Sequence, residues 1–400
     1  MLRSATAQYA SFFRLPDVVR MLAMALLSRM PIGMVTLSML LHVRTLTDSF
    51  AAAGAAVGCY LGAAAATAPI LGRFIDRRGP RSALFVTGVG CPVALCVLLL
   101  AKPLALGIGD IWIIAAIAGA LSPPITVLTR TMWRHRFADE SSRRMAFALD
   151  GVLVEFVFTA GPALVALLLA VGTPMLAFGV ALCFVTLAVP IFVASPALRY
   201  WRHDPHADRH LLGPLTEPRL IALYVTTFLL TLALGLLEIG YPGFATKLAH
   251  PPLAGLLIAV NSVGSAVGGL VYGGVSIALA RESQLRRLLA FLAIPLASQA
   301  LIGSAGALAL VAFIAGLCIA PSLTVVSLLI SSYAPSRYAT EAFTWSTTCI
   351  VSGIGAGNAI GGALLERYDP AVVFAWSGAV ALAAASCASM LRGAKAGTAK

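Results

Sequence analysis

The sequence predicts an all-α membrane protein with twelve transmembrane helices in two pseudo-symmetric six-helix bundles. Three observations predict this fold class: the apolar content, the placement of the basic residues, and a similarity between the two halves of the chain. Apolar residues make up 60% of the 400 positions and charged residues only 11%. Because a bilayer-spanning helix needs about 20 mostly apolar residues, this composition suffices for about twelve spans. It excludes a soluble enzyme, a disordered chain and a disulfide-stabilised secreted module.

Apolar stretches bounded by charged residues, glycine or proline locate the individual spans. They are predicted at residues 18–41, 51–72, 82–101, 110–133, 146–169, 175–195, 219–242, 253–279, 287–304, 306–333, 342–364 and 371–391. The corresponding domains are a cytoplasmic N-terminal segment (1–17), a first bundle (18–198), a cytoplasmic linker (199–218), a second bundle (219–391) and a cytoplasmic tail (392–400). Residues 5–15 are expected to form a short amphipathic helix along the inner membrane surface.

The 28 lysines and arginines alternate between the two sides of the predicted membrane. With the N-terminus inside, 23 of them lie in inside segments, and only Arg44, Lys102, Lys247 and Arg367 lie in outside loops, which leaves Arg29 within a span. The positive-inside rule then predicts a multi-pass protein of the cytoplasmic membrane with both termini in the cytoplasm. The net charge of +12 is explained by the placement of basic residues on the inner side of the membrane. We therefore expect no nucleic-acid partner.

Landmarks in the two halves recur at an offset of about 200 residues. The pairs are Gly54 with Gly255, Gly72 with Gly273, Pro123-x-Ile125-Thr126-Val127 with Pro321-x-Leu323-Thr324-Val325, and Ala146-Phe147 with Ala342-Phe343. Helices rich in alanine and glycine often resemble one another, but the match around the two prolines is more specific. The pattern indicates a duplicated six-span unit.

The loop between the second and third spans carries a charged, glycine-containing sequence. It reads Gly72-Arg73-Phe74-Ile75-Asp76-Arg77-Arg78-Gly79-Pro80-Arg81. This sequence resembles the Gly-x-x-x-Asp-Arg-x-Gly-Arg-Arg signature of the major facilitator superfamily, with Pro80 in place of a usual basic residue. Twelve spans, a central loop and duplicated halves extend the resemblance over the whole chain.

The residue types of this motif favour a contact between helix ends. Gly72 allows helices to approach closely, Asp76 can face a helix N-terminus or pair with an arginine, and Gly79 permits a tight turn. The resemblance implies that Asp76 contacts the start of the eleventh helix, near Glu341 and Ala342. The predicted conformational gate therefore consists of Gly72, Asp76, Arg77, Gly79 and Arg81. The alternative role of the arginines is membrane orientation alone.

Few charged residues fall inside the predicted spans, where a charge costs several kcal/mol unless it has a partner or faces water. Arg29 and Glu155 lie at similar depths in the first and fifth spans, so we predict that they form an ion pair. Glu155 then either titrates during function or stays in a permanent structural pair. Asp150 enters the fifth span near its inner end and is predicted to meet Arg143 or Arg144.

Glu238 lies toward the outer end of the seventh span, in a Gly-Leu-Leu-Glu-Ile-Gly-Tyr-Pro-Gly sequence that can interrupt the helix and admit water. It is either a functional contact or a structural residue. The candidates for proton coupling or substrate contact are therefore Arg29, Glu155 and Glu238. Arg130 and Asp150, at the inner ends of the fourth and fifth spans, are the candidate inner-gate residues.

Prolines and hydroxyl side chains recur in the fourth and tenth spans. The resemblance implies that spans one, four, seven and ten line a central cavity. The candidate cavity or helix-kink residues are Pro123, Pro124, Thr126, Thr129, Pro321, Thr324 and Ser327. Asn261 and Asn358, in the eighth and eleventh spans, either join helices through hydrogen bonds or contact a ligand.

Together these features predict a secondary active transporter that works by alternating access. A mostly apolar cavity with Arg29 as its strongest cation suits a small amphipathic or anionic organic solute. Since the sequence has no GxxxxGK[ST] loop for ATP, we expect an ion gradient, most simply of protons, to drive efflux in an antiporter. The alternatives are a proton-coupled importer of a small metabolite and a non-transporting membrane receptor.

Catalytic and metal-binding patterns are weak in this sequence. The spacing of histidines and aspartates in the linker is compatible with a metal site on a helix; the sequence reads His203-Asp204-Pro205-His206-Ala207-Asp208-Arg209-His210. Because its proline interrupts a helix, a solvated linker is favoured. The seven cysteines all fall in predicted spans and are interpreted as packing residues. We therefore expect no catalytic residue, no metal and no cofactor. The expected partners are the lipid bilayer, a small-molecule substrate and protons, and the expected state is a monomer.

Overall fold

The computed structural model describes residues 2–201, 213–250, 252–275 and 277–391. Over these ranges the chain forms α-helices joined by short turns. The helices are α1 (Leu2–Phe13), α2 (Val18–Thr47), α3 (Phe50–Arg78), α4 (Pro80–Leu99), α5 (Ile108–Ala120), α6 (Ile125–Arg136), α7 (Glu140–Val171), α8 (Pro174–Ala194), α9 (Pro218–Lys247), α10 (Pro252–Gly274), α11 (Arg281–Ser298), α12 (Ala305–Tyr333), α13 (Ala339–Leu365) and α14 (Pro370–Ala388).

Most of these helices are long enough to cross a bilayer. Within the described residues, eleven crossings are also sufficiently apolar, and α5 and α6 together form one of them. Helix α11 is not among these eleven; it begins with the polar sequence Arg-Glu-Ser-Gln-Leu-Arg-Arg and packs along α12 and α14. The prediction of an all-α membrane fold is confirmed, with helix ends that differ from the predicted spans by up to six residues.

Each half of the chain contains a close contact between two glycines. Gly33 of α2 lies against Gly161 of α7, where an added Cβ at Gly33 would overlap the Val157 carbonyl oxygen. Gly235 of α9 lies against Gly357 of α13 in the same manner. The residues of the second pair follow those of the first by about 200 positions. The repeat in the sequence therefore corresponds to a repeated mode of helix packing.

The two halves meet along two equivalent helix pairs, α3 with α13 and α7 with α10. Gly72 of α3 packs against Thr344 of α13, and Gly273 of α10 packs against Ala148 of α7. Gly72 and Gly273 are equivalent in the sequence repeat, so both interfaces use the same small-residue position. These contacts lie at the end of the bundle that carries the α3–α4 loop and the starts of α7 and α13, called the basic end below.

Helix α1 packs on the basic end of the bundle. The Tyr9 hydroxyl donates a hydrogen bond to the Leu270 carbonyl oxygen at 2.7 Å, and Gly273 leaves room for that hydroxyl. Phe12 is buried against Phe137. The amphipathic helix expected along the membrane surface is thus packed against α7 and α10, because its aromatic side chains find apolar partners in the bundle.

The histidines and aspartates of the linker sequence 203–210 lie outside the described residues. In the ranges that the structure describes, no group of three or more His, Cys, Asp or Glu side chains is placed to hold a metal ion.

Candidate functional site

Asp76 joins the end of α3 to the start of α13. Its buried carboxylate accepts hydrogen bonds from the backbone N–H of Thr340 at 3.0 Å and from that of Glu341 at 2.8 Å. Both N–H groups belong to the first turn of α13, where no intrahelical carbonyl is available and the helix dipole is positive. Asp76 therefore provides hydrogen-bond acceptors for two N–H groups at a helix end in the opposite half of the protein.

An ion pair between Arg73 and Glu341 reinforces this contact. The Arg73 guanidinium donates to the Glu341 carboxylate at 2.6 Å and 3.1 Å, and the Glu341 side chain is fully buried. Arg77 and Arg81, the arginines of the predicted gate, have exposed side chains, whereas Arg73 is absent from the predicted gate. The available signal was the spacing, since Arg73 precedes Asp76 by one helical turn and faces the same neighbouring helix.

The glycines of the motif have separate roles. Gly72 brings α3 against Thr344 of α13. Gly79 has a φ of +84° in the turn between α3 and α4, a backbone conformation that side-chain-bearing residues rarely adopt. The turn directs α4 back into the bundle and keeps Asp76 at the helix end.

Arginines also join the halves elsewhere on the basic end. Three pairs do so: Arg134 with the Ala334 carbonyl oxygen at 2.5 Å, Arg144 with the Val275 carbonyl oxygen at 2.5 Å, and Arg281 with the Glu140 carboxylate at 3.0 Å. Together with Asp76 and Arg73, they close the basic end of the bundle.

Asp150 is the centre of a buried charge cluster inside the first half. Its carboxylate contacts the Arg29 guanidinium at 2.6 Å and that of Arg130 at 3.0 Å. Arg29 and Asp150 are essentially inaccessible to solvent, and Arg130 is mostly buried. The cluster ties α2, α6 and α7 together and leaves Arg29 without access to a cavity.

The predicted Arg29–Glu155 ion pair is therefore wrong, as is the predicted contact of Asp150 with Arg143 or Arg144. The reason is the start of α7, which begins six residues before the predicted span. Arg29 lies eleven residues into α2 and Asp150 ten residues into α7. At 1.5 Å of rise per residue, Asp150 rather than Glu155 lies at the depth of Arg29.

Glu155 instead links the two halves. The Ser265 hydroxyl on α10 donates a hydrogen bond to the Glu155 carboxylate on α7 at 2.8 Å. Glu238 on α9 interacts with the Asn358 side chain on α13 and, electrostatically, with Glu155. Glu155 and Glu238, from opposite halves, thus interact electrostatically, and the Glu238 side chain is exposed.

The proline positions of the two halves behave differently. Pro123 and Pro124 separate α5 from α6, whereas α12 continues through Pro321. The equivalent prolines therefore break the helix in the fourth span but leave it continuous in the tenth. Two consecutive prolines remove two N–H donors, and the second disfavours helical geometry at the first, while a single proline removes one donor only.

The remaining candidate hydroxyls and amides differ in their contacts. Thr129 and Ser327 donate to backbone carbonyls of the preceding helical turn, and Thr324 is buried. The Asn261 amide donates to the Ala312 carbonyl oxygen at 2.9 Å, which joins α10 to α12. Asn261 thus makes a hydrogen bond between helices, which is one of its two predicted roles; the other is contact with a ligand.

A cavity of about 200 Å³ lies beside the break between α5 and α6. Its described walls come from α2, α3, the break itself, the first residues of α6, and α13. Pro123, Pro124 and Thr126 line it. The described lining side chains include no charged residue.

The sequence profile of the Major Facilitator Superfamily matches residues 21–223. The chain belongs to the major facilitator superfamily. It is thus a non-enzymatic secondary transporter and a multi-pass membrane protein. Members of this superfamily bind small-molecule substrates, often with proton coupling. Among curated proteins, none matches this chain.

Solved transporter structures have the same fold. The human organic anion transporter MFSD10 (TETRAN) is 16% identical, with a TM-score of 0.74 over 94% of this chain and 100% of that chain. A bacterial homologue of the iron transporter ferroportin in an outward-facing state is 14% identical, with a TM-score of 0.74 over 94% and 98%. The proton:xylose symporter XylE, bound to 6-bromo-6-deoxy-D-glucose, is 13% identical, with a TM-score of 0.71 over 92% and 94%. At these identities the similarity concerns the fold.

Proposed function

We propose that this facilitator exports a small amphipathic organic solute across the cytoplasmic membrane in exchange for protons. The observation that carries the proposal is the hydrogen bond between Glu155 and Ser265, which joins the two halves at a titratable group inside the membrane. Alternating access requires the halves to move against each other. A carboxyl group at their interface can make that movement depend on protonation.

Glu238 strengthens this argument because it places a second carboxylate near Glu155 from the other half. When both groups are ionised, their repulsion opposes close packing of the halves at this level. Binding of a proton removes the repulsion. The free energy difference between the two conformations of the transporter then depends on proton occupancy, which is the requirement for coupling.

The arrangement of the charges is compatible with export. The positive-inside rule assigns the basic end to the cytoplasm, and that end is closed by Asp76, Arg73 and the three arginine pairs. The conformation is then the one in which the solute site faces away from the cytoplasm. From it, an exporter releases its solute and takes up protons.

The charge cluster around Asp150 argues against organic anions as the substrate class. An anionic solute was expected to pair with Arg29, but Arg29 already contacts Asp150 and has no exposed surface. The cavity beside the α5–α6 break offers apolar walls and hydroxyl groups instead. An amphipathic solute fits those walls better than an organic anion.

Proteoliposomes with an internal pH-sensitive dye test the coupling. Amphipathic drugs, organic anions, amino acids and sugars are added in turn on either side, and proton movement is recorded for wild type, Glu155→Gln and Glu238→Gln. The matched control is Glu366→Gln, which replaces an exposed carboxylate at the end of α13.

We expect an amphipathic solute to drive proton movement in wild type and in the control, and we expect this movement to be lost in Glu155→Gln. Solute flux without proton movement, or coupling that survives in both variants, would refute the proposal. Solute and proton movement in the same direction would indicate an importer.

A further inference from the structure

Two adjoining cavities meet at the break between α5 and α6. Both are lined by Pro31 of α2, Tyr60 of α3 and the Ser122–Pro123 sequence of the break. The larger one extends to α13, and the smaller one reaches into the first half behind the break. We propose that the larger cavity binds a neutral, largely apolar solute that carries a hydrogen-bond acceptor, such as a carbonyl oxygen, with Thr126 as the donor. This inference rests on the proposed function as a solute transporter and defines its substrate class.

The donor is assigned from hydrogen bonds that are left unmade. The Thr126 hydroxyl is buried and has no hydrogen-bond partner among the described residues. Two hydroxyls on the α13 wall of the cavity are already engaged: Thr348 donates to the Ala65 carbonyl oxygen at 2.9 Å and Thr347 to that of Phe343 at 3.1 Å. Because buried polar groups in proteins are nearly always paired, the Thr126 hydroxyl indicates where a polar atom of a ligand belongs.

The backbone at Thr126 supplies further donors. Thr126 and Val127 lie in the first turn of α6, which begins at Ile125 after two prolines. The N–H groups of a first helical turn have no carbonyl partner within the helix. A hydroxyl and two N–H groups of this turn match an oxygen acceptor, and the solute therefore needs no donor of its own.

The charge of the solute is inferred from the walls. No charged side chain belongs to the described lining of either cavity, and an unpaired charge in such surroundings is costly. Arg29, the nearby cation expected from the sequence, is held by Asp150 at 2.6 Å with no exposed surface. The free-energy cost of transfer from water to this site is therefore lower for a neutral solute than for a charged one.

The site also depends on the relative position of the two halves. Thr347, Thr348 and Val351 of α13 form one wall, and all other described lining residues come from the first half. The hydrogen bond from Thr348 to Ala65 closes the gap between α3 and α13 beside the cavity. When the halves move, this wall moves with the second half, so occupancy of the site and the conformation of the transporter are linked.

Equilibrium dialysis of the full chain in lipid nanodiscs tests the assignment, with empty nanodiscs subtracted and no ion gradient present. The probes share one ring system: radiolabelled 2-acetylnaphthalene is neutral with a carbonyl acceptor, 2-naphthoate is anionic, and 2-isopropylnaphthalene has no acceptor. We expect the ketone to bind about tenfold more tightly than the carboxylate, and about fivefold more tightly than the hydrocarbon, as for one hydrogen bond.

Variants locate the binding. Ala68→Phe fills the cavity and is expected to abolish binding of the ketone, whereas Ala66→Phe, on the exposed side of the same helix, should bind it as wild type does. Thr126→Val keeps the shape of the wall and should reduce ketone binding to the level of the hydrocarbon. Its control is Thr186→Val, an exposed threonine of α8.

Several outcomes would overturn the inference: tighter binding of 2-naphthoate, unchanged binding in Ala68→Phe, an unchanged ketone preference in Thr126→Val, or no binding of any probe by folded wild type. The Thr126→Val result decides the matter if Ala68→Phe fails to fold. Because binding is measured without a gradient, it is independent of proton coupling. Loss of coupling with intact ketone selectivity refutes only the proposed antiport, and the reverse result refutes only this site.

Discussion

The Arg29 guanidinium lies 2.6 Å from the Asp150 carboxylate, and both side chains are buried. Arg130 contacts the other carboxylate oxygen at 3.0 Å. A single negative charge therefore joins three helices and is shared by two arginines, so the cluster keeps one net positive charge.

Replacement of Asp150 by asparagine leaves these buried arginines without a counter-charge. Removal of one partner from a buried ion pair costs about 3–5 kcal/mol, so we expect Asp150→Asn to lower the free energy of unfolding by that order. Chemical denaturation in detergent measures it. The control is Asp369→Asn, which breaks an exposed pair with Lys247 and should cost at most about 1 kcal/mol. Equal losses for the two variants would contradict the role given to Asp150.

Removal of the Asp76 carboxylate should open the basic end. Asp76→Ala leaves two N–H groups at the start of α13 unpaired, and the closed conformation loses stability relative to the open one. Spin labels at the exposed positions of Arg77 and Arg337, in a background without native cysteines, report the separation of the halves. We expect a longer distance to become populated.

The control for this experiment is Asp17→Ala. Asp17 contacts Arg199 and Tyr200, which also precede the second set of helices. Its loss should leave the distance distribution unchanged. A distribution that Asp76→Ala does not alter would show that the other contacts suffice to close this end.

Asp139 gives the N-terminus of α7 a pH-dependent cap. Its carboxylate accepts the Ser142 backbone N–H and the Ser141 hydroxyl, each at 2.8 Å, and these bonds lower its pKa from 3.8 to about 2. Because the pKa is lower in the folded protein than in the unfolded chain, the cap stabilises above about pH 4 and weakens as the pH falls toward 2.

Asp139→Ala should therefore cost about 1 kcal/mol at pH 7, and the difference from wild type should shrink between pH 4 and pH 2. Unfolding curves across this range measure it. Asp139→Asn retains a good cap without a titratable group, so it should match wild type at pH 7 and show no such trend. A constant deficit in Asp139→Ala down to pH 2 would exclude the carboxylate as the cause.

The contact between Gly33 and Gly161 should tolerate no side chain. A Cβ at Gly33 would overlap the backbone of α7 at Val157, and backbone cannot yield as a flexible side chain does. We expect Gly33→Ala to cost about 1–3 kcal/mol or more, measured by thermal unfolding. Gly179→Ala in α8 is the control, since nothing lies near its Cβ position. It should be neutral or slightly stabilising, and a similar effect of both substitutions would refute the packing argument.

The duplicated architecture could be read from the sequence because it depends on local patterns. Spans follow from the length of apolar stretches, and the repeat follows from landmarks such as Phe147 and Phe343. These two equivalent residues meet in the structure, with ring centroids 6.0 Å apart, where the halves face each other. The contact of Asp76 with the start of α13 was likewise accessible through a short motif.

The sequence by itself determined that this protein is a helical membrane transporter with repeated halves, since apolar length, charge placement and motif spacing are properties of the linear chain. Only the tertiary structure decided that Arg29 pairs with Asp150, that Glu155 meets Ser265, and that a helix is broken at Pro123 and Pro124 beside a cavity. A helix that begins six residues early moves its side chains by about 9 Å along the axis. Partners across helices depend on such shifts and on helix rotation, which packing between distant segments sets.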